Sequence, residues 1–186
     1  MTYQSVWYHT EIPRHLIDTI EKDINDCHLD MQLQDAAIGH HEMINSYRNS
    51  KVSFIPPSHW IVGFCYNYIL QANRDNFQYD IAGFEDNNMQ YTVYNPGEYY
   101  HWHFDDDNVS DTIIKRKLSF SMQLSEEDSY TGGDLQFLSP QDKLYNAPKK
   151  RGTIIIFDSR TKHRVTRVKS GIRKSLVGWV GGPRWR

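Results

Sequence analysis

His103, Phe104 and Asp105 lie at the end of a short aromatic-rich segment, Tyr99 to Phe104. On a strand, residues two apart project from the same face, so an imidazole at 103 and a carboxylate at 105 converge a few ångströms from the sheet. One imidazole and one carboxylate call for a third ligand from a distant strand. His163 is the best-placed candidate, because it follows the apolar run Thr153 to Phe157 and opens the next strand. Two imidazoles and a carboxylate on one side of an octahedral ion leave three positions open, the donor set that suits non-haem Fe(II) oxygen chemistry. A His-x-Asp pair alone is weak evidence, since such pairs also occur on solvated polar edges. His101 shares the parity of His103 and offers a competing pair of two imidazoles on one strand. His9, His15, His28, His40, His41 and His59 fall in helical or loop segments without paired partners and read as surface or satisfied core residues.

The spacing after His163 adds a second function. Ten residues on stands Arg173, then Ser175 and Trp179, all of one parity and therefore facing inward together on a regular strand. A buried guanidinium needs an acceptor, and its planar fork suits a bidentate carboxylate. No acidic residue follows Asp158. The missing carboxylate is then a ligand's, with Ser175 offering a hydroxyl to the same group; a surface arginine on a basic strand is the alternative.

These side chains need a scaffold, and the chain changes character near residue 88. Before it, Ile12, Leu16, Ile17, Ile20 and Ile24 form a helical stripe over 12–27, with Pro13 in the first turn. A second helix is expected over 58–77, capped by Ser58 after Pro56-Pro57 and carrying Trp60, Ile61, Phe64, Tyr68 and Ile69 at helical spacing. After it, eight short strands separated by turn chemistry run over 89–94, 99–104, 117–124, 134–138, 143–147, 153–157, 163–168 and 173–180. Within 117–124 the apolar residues Leu118, Phe120, Met122 and Leu124 alternate with Ser119, Ser121 and Gln123. Such a pattern predicts a mainly β, α+β architecture: a jelly-roll or barrel whose helices cover one sheet.

Composition sets the outer limits. The 186 residues, 39% hydrophobic and 24% charged, fit one globular domain, with 1–88 as a helical support region and 89–186 as a β core. The longest apolar run, Ile154 to Phe157, is far short of the ~20 residues that cross a bilayer. The N-terminus has no basic-then-apolar signal pattern, so a cytoplasmic protein without membrane association is expected. Cys27 and Cys65, 38 residues apart, read as small core residues rather than metal ligands. The net charge of −2 is uneven: 143–186 holds 13 Lys/Arg and one acid. Either this marks an acidic partner such as nucleic acid, or solvated strand faces there happen to be basic; the scattered placement favours the second reading.

The sequence resembles the 2-oxoglutarate and Fe(II)-dependent oxygenases, in particular the prolyl-hydroxylase-like, PKHD-type branch. The resemblance rests on Tyr94-Asn95-Pro96-Gly97 through His101-Trp102-His103-Phe104-Asp105, on Leu118-Ser119-Phe120 with Tyr130-Thr131-Gly132-Gly133-Asp134-Leu135, on Gly152-Thr153 with Ile154 to Phe157, on His163-Arg164-Val165-Thr166, and on Arg173-Lys174-Ser175 through Trp179-Val180. It extends back to about Arg48, through Trp60 and Ala72-Asn73. It implies a double-stranded β-helix, a cupin-like jelly roll with N-terminal helices on one sheet. His103, Asp105 and His163 match the iron ligands, Arg173 the residue that pairs with the distal carboxylate of 2-oxoglutarate, and Tyr94 the tyrosine that assists it. Ser175 and Trp179 match less closely, and Tyr100 belongs either to the pocket wall or to the core. The implied reagents are Fe(II), 2-oxoglutarate and O2, with ascorbate as a supporting reductant. The implied reaction hydroxylates a C–H bond, first of all in a peptidyl proline, with release of succinate and CO2. A nucleic-acid dealkylase using the same reagents and a non-catalytic jelly-roll binding module are the rival readings. The run Asp105-Asp106-Asp107 opens an acidic loop up to Arg116, expected to be either a flap over a peptide with basic flanks or an ordinary solvated loop.

Overall fold

The computed structural model describes residues 5–27, 29–36, 47–84, 89–106, 113–139 and 143–185. Among them two antiparallel sheets face each other. The larger runs in the order Val6–His9, Ile154–Asp158, Ile114–Gln123, Arg173–Pro183, Gln90–Tyr94, Lys51–Phe54, Gln34–Asp35, with Gly83–Phe84 pairing the end of Arg173–Pro183. The smaller runs Leu144–Asn146, Leu135–Leu138, Lys162–Val165, Tyr99–His103, Arg48–Asn49. A two-stranded ribbon, Thr131–Gly132 with Val168–Ser170, completes the expected mainly β fold with helices on one sheet.

Period-2 alternation explains how one sheet serves two layers. Leu118, Phe120, Met122, Ile154, Ile156, Leu176 and Val180 point toward helices α1 (Arg14–Asp26) and α2 (Trp60–Ala72), where they pack with Ile17, Ile20, Ile24, Ile61, Cys65 and Ile69. Each fully buried aliphatic side chain of this layer contributes about 1.5–3 kcal/mol. Ser119, Ser121, Gln123, Arg173, Ser175 and Trp179 take the opposite parity and turn toward the smaller sheet. There a second cluster, Leu135, Phe137, Ile155, Phe157, Val165 and Val168, joins the two sheets.

Several expectations change in detail. Residues 1–88 are not only helical: Val6–His9, Lys51–Phe54 and three two-residue strands extend both sheets from that region. Such short runs carry too little alternation to stand out. His59, not Ser58, caps α2, its Nδ1 accepting from the Ile61 N–H at 3.3 Å. Pro13 precedes α1 as its N-cap residue, and α2 continues into a π-helical turn, Asn73–Phe77. The expected strand 163–168 divides into Lys162–Val165 and Val168–Ser170, which belong to different sheets. Cys65 is buried as expected, but Cys27 ends α1 exposed. Part of the basic tail is answered by acids from earlier in the chain: Arg151 pairs with Asp18 and Glu21, and Lys149 with Asp134. Among the described residues no helix is long and apolar enough to cross a membrane.

Candidate metal and co-substrate site

Between the sheets, the strands Tyr99–His103 and Lys162–Val165 pair so that His103 lies directly opposite His163. Their ring centroids are 4.0 Å apart. Asp105 sits just beyond the first strand, where its N–H donates to the Ser159 carbonyl at 2.9 Å. Its two carboxylate oxygens then lie 3.4 Å from His103 Nε2 and 3.5 Å from His163 Nε2. One ligand atom from each of the three residues falls within 4.8 Å of the others.

The backbone settles which nitrogen of each imidazole faces this point. His103 Nδ1 lies 2.7 Å from the His101 carbonyl, and His163 Nδ1 lies 3.0 Å from the Thr161 carbonyl. A carbonyl can only accept, so each Nδ1 carries a proton and each Nε2 is the nitrogen that faces inward. Burial pushes the His163 imidazole down to about 4, with His103 adding to the effect, so it is neutral near pH 7. Burial opposes ionisation of Asp105, but His163, His103 and the Ser119 hydroxyl outweigh it and hold the carboxyl well below the usual range. Two imidazoles with Nε2 inward and one carboxylate, nearly enclosed, form a donor set that fits a divalent transition ion.

The backbone turns His101, the competing candidate, away from this point. His163 pairs with His103, yet Val165 pairs with Tyr100, so two steps on one strand match three on the other. This β-bulge inserts one residue and reverses the parity ahead of His103. His101 turns outward, exposed, against Tyr47 and Tyr99. Tyr100 takes the inward place, stacked on the His103 ring.

The triad opens on a cavity of about 490 Å3, open mouth included, lined also by Tyr94, Tyr100, Arg173, Trp179 and Arg48. Arg173 is 1% exposed. Its Nη1 donates to Ser175 Oγ at 3.1 Å and its Nη2 to Gln123 Oε1 at 3.2 Å, with the Tyr130 phenol nearby. Among the described residues both partners are neutral, its Nε has no partner, and no carboxylate pairs with it. A buried, unpaired guanidinium is costly, and an anionic ligand would relieve that cost. The hydroxyls of Thr92 and Ser121, also cavity residues, are buried without partners among the described residues. Tyr94 lies directly across the ladder from Arg173, its ring 5.4 Å from the guanidinium carbon. Gly133 (φ +61°) lets the preceding turn close on this arginine, since a Cβ there would lie 3.1 Å from Arg173 Cδ.

All eight residues expected from the sequence therefore converge between the sheets, with two adjustments. Ser175 is bound to Arg173 and is not part of the cavity wall. Asp106, expected on an acidic flap, is 7% exposed and accepts from Trp185 Nε1 at 2.9 Å, which removes it from a solvent-facing flap. Asp107, with the rest of 107–112, lies outside the described residues. Sequence reasoning missed Gln123, Tyr130 and Arg48. Gln123 had a signal, as it shares a face with Ser119 and Ser121; Arg48, in the region read as helical support, had none.

A sequence profile of the 2OG-Fe(II) oxygenase superfamily matches residues 89–181, half of the chain. A PKHD-type hydroxylase of Synechococcus sp. (strain CC9605) is 39% identical over 84 residues, covering 45% of this chain and 37% of the relative. The chain spans between a third and about half of the length of the curated relatives it matches. Among solved structures, a Pseudomonas putida prolyl-4-hydroxylase superposes with a TM-score of 0.76 at 18% identity, covering 97% of this chain and 94% of that one. A Trichoplax adhaerens prolyl hydroxylase, solved with a hypoxia inducible factor oxygen degradation domain peptide fragment, gives 0.77 at 15% identity, covering 95% and 83%. At these identities the structural likeness speaks to the fold.

Proposed function

The chain belongs to the 2OG-Fe(II) oxygenase superfamily, and we propose that it hydroxylates a C–H bond of a peptidyl residue, proline first, using Fe(II), 2-oxoglutarate and O2. The observation that carries this reading is the pairing of two features in one cavity: the His103, Asp105, His163 donor set, and the buried Arg173 with an unpartnered Nε. In this reading the three residues hold Fe(II), and Arg173 receives the distal carboxylate of 2-oxoglutarate. When bound, these reagents supply oxidative decarboxylation: one oxygen atom of O2 enters succinate, CO2 leaves, and the other oxygen atom enters the substrate C–H bond.

The protein's own contribution is positional. The His101 and Thr161 carbonyls hold both imidazoles with Nε2 inward. Ser175 and Gln123 hold the Arg173 fork in place, and the aromatic walls, Tyr94, Tyr100 and Trp179, limit water around it. A peptidyl substrate is supported by the names of the relatives, a PKHD-type hydroxylase and prolyl hydroxylases, one of them solved with a peptide fragment.

The test is a succinate assay with Fe(II), 2-oxoglutarate and ascorbate as reductant, run on proline-containing peptides and on a methylated oligonucleotide, with mass spectrometry of both. Succinate with a peptide gaining one oxygen atom is expected. Turnover of the oligonucleotide alone would replace the peptidyl reading with a dealkylase. Absence of succinate under every condition would leave a binding module.

A further inference from the structure

Asp105 lies past the end of its strand, so the ladder does not aim its carboxylate. Its N–H and that of Asp106 share one acceptor, the Ser159 carbonyl, at 2.9 and 3.0 Å. Ser159 is itself tied to the larger sheet, its N–H donating to the Lys117 carbonyl at 3.1 Å and its hydroxyl bonded to Ser119 at 2.9 Å. The Asp106 side chain is held from another direction. Trp185, which follows the Arg173–Pro183 strand, donates its indole N–H to Asp106 Oδ2 at 2.9 Å.

The indole is in turn enclosed by charged groups from the segments that carry Ser159. Lys117 Nζ lies 3.5 Å from its ring centroid, the Arg160 guanidinium carbon lies 3.7 Å from it, and the Tyr79 ring meets it edge-on at 4.9 Å. Arg160 is fixed by Asp158, with Nη2 to Oδ2 at 2.7 Å. One rigid cluster thus grips the Asp105–Asp106 step twice, by backbone through Ser159 and by side chain through Trp185. A charge-assisted bond to a buried carboxylate is stronger and more directional than packing alone.

We propose that Trp185 is a positioning residue: by holding Asp106 it fixes the adjoining peptide, and so aims the Asp105 carboxylate at His103 and His163. The proposal rests on the reading of these three residues as the metal ligands. Outer groups that orient metal ligands typically change affinity by about 10–100-fold when removed. Trp185 acts one residue further out, so a loss of roughly five- to tenfold is expected.

The test titrates Mn(II) by electron paramagnetic resonance into wild type, Trp185→Phe, Asp106→Ala, the double variant and Asp105→Ala, with Co(II) absorption as a readout of ligand field. Trp185→Phe keeps an aromatic ring against Lys117 and Arg160 but has no donor. It should bind Mn(II) about five- to tenfold more weakly and alter the Co(II) spectrum, and the double variant should bind no more weakly than the weaker single. A lowered melting temperature with unchanged Mn(II) affinity, or losses that add in the double variant, would overturn the proposal. If wild type binds no Mn(II), or Asp105→Ala binds as wild type does, the metal-site reading itself fails and takes this proposal with it. Should Trp185→Phe not fold, Asp106→Ala decides alone: unchanged affinity there overturns the role.

Discussion

The phenol ring of Tyr100 is stacked on the imidazole of His103, centroids 3.6 Å apart and planes 15° from parallel, although the two stand three positions apart on one strand. Regular pleating would put these side chains on opposite faces, and the bulge puts them on the same one. Stacking of this kind is worth about 0.5–1.5 kcal/mol. It holds the ring plane of His103 while the His101 carbonyl holds its Nδ1.

The first prediction follows from this pair. His101→Ala should leave Co(II) or Mn(II) affinity unchanged, because only the backbone carbonyl of residue 101 serves the site. Tyr100→Ala should weaken binding and lower stability by about 0.5–3 kcal/mol, the usual range for a destabilising substitution, while Tyr100→Phe keeps the stack and the affinity. Metal titration with a thermal melt of each variant checks it; loss of metal in His101→Ala would mean that the bulge is not in this register.

Arg173 supplies the second. In wild type, 2-oxoglutarate with Mn(II) should raise the melting temperature, since a ligand at about a hundred times its Kd stabilises by about 2.7 kcal/mol. Arg173→Ala should abolish that rise at equal concentration and weaken co-substrate binding by about 2–5 kcal/mol, with the metal retained. Arg173→Lys should restore little, because a point charge cannot replace the fork that Ser175 and Gln123 hold. Calorimetric titration distinguishes these outcomes, and unchanged affinity in Arg173→Ala would remove the co-substrate assignment.

The third concerns acid stability. Burial works against ionisation of Asp158, but hydrogen bonds from Arg160 and from the Tyr79 hydroxyl prevail and lower its carboxyl below the ordinary 3.8. A carboxylate depressed in the folded state stabilises fully above its unfolded value and loses that contribution as pH falls through the folded one. Asp158→Asn should therefore melt lower than wild type by a constant margin from pH 5 to 8. The margin should shrink below about pH 4. Melting curves across pH 2.5–8 would test it, and a margin that grows toward acid would contradict the assignment.

Much of the site could be read from residue types and spacing. The alternation of Ser119, Ser121 and Gln123 against Leu118, Phe120 and Met122 already gave that strand an apolar and a polar face, and the structure packs α1 and α2 on the first and opens the cavity, beside Ser121, on the second. The single parity of Arg173, Ser175 and Trp179, with no acid after Asp158, pointed to a buried guanidinium in want of an anion, and Arg173 is buried with only neutral partners among the described residues. These features are legible because strand period and charge balance are local properties of the chain.

What only the tertiary structure decided depends on contacts between distant segments. Strand parity made His101 and His103 equivalent; the extra residue that opposes Lys162–Val165 sends His101 outward and brings Tyr100 in. A bulge is defined by its partner strand, so no pattern in Tyr99–His103 alone could reveal it. Asp105 likewise reaches the histidines from beyond its strand, aimed by a carbonyl fifty-four residues later in the chain. Asp106, a surface acid by composition, is buried because Trp185 arrives to bind it. Residue type limits what each side chain can do, but its direction is set by the segment packed against it, and that segment is found only in the folded chain.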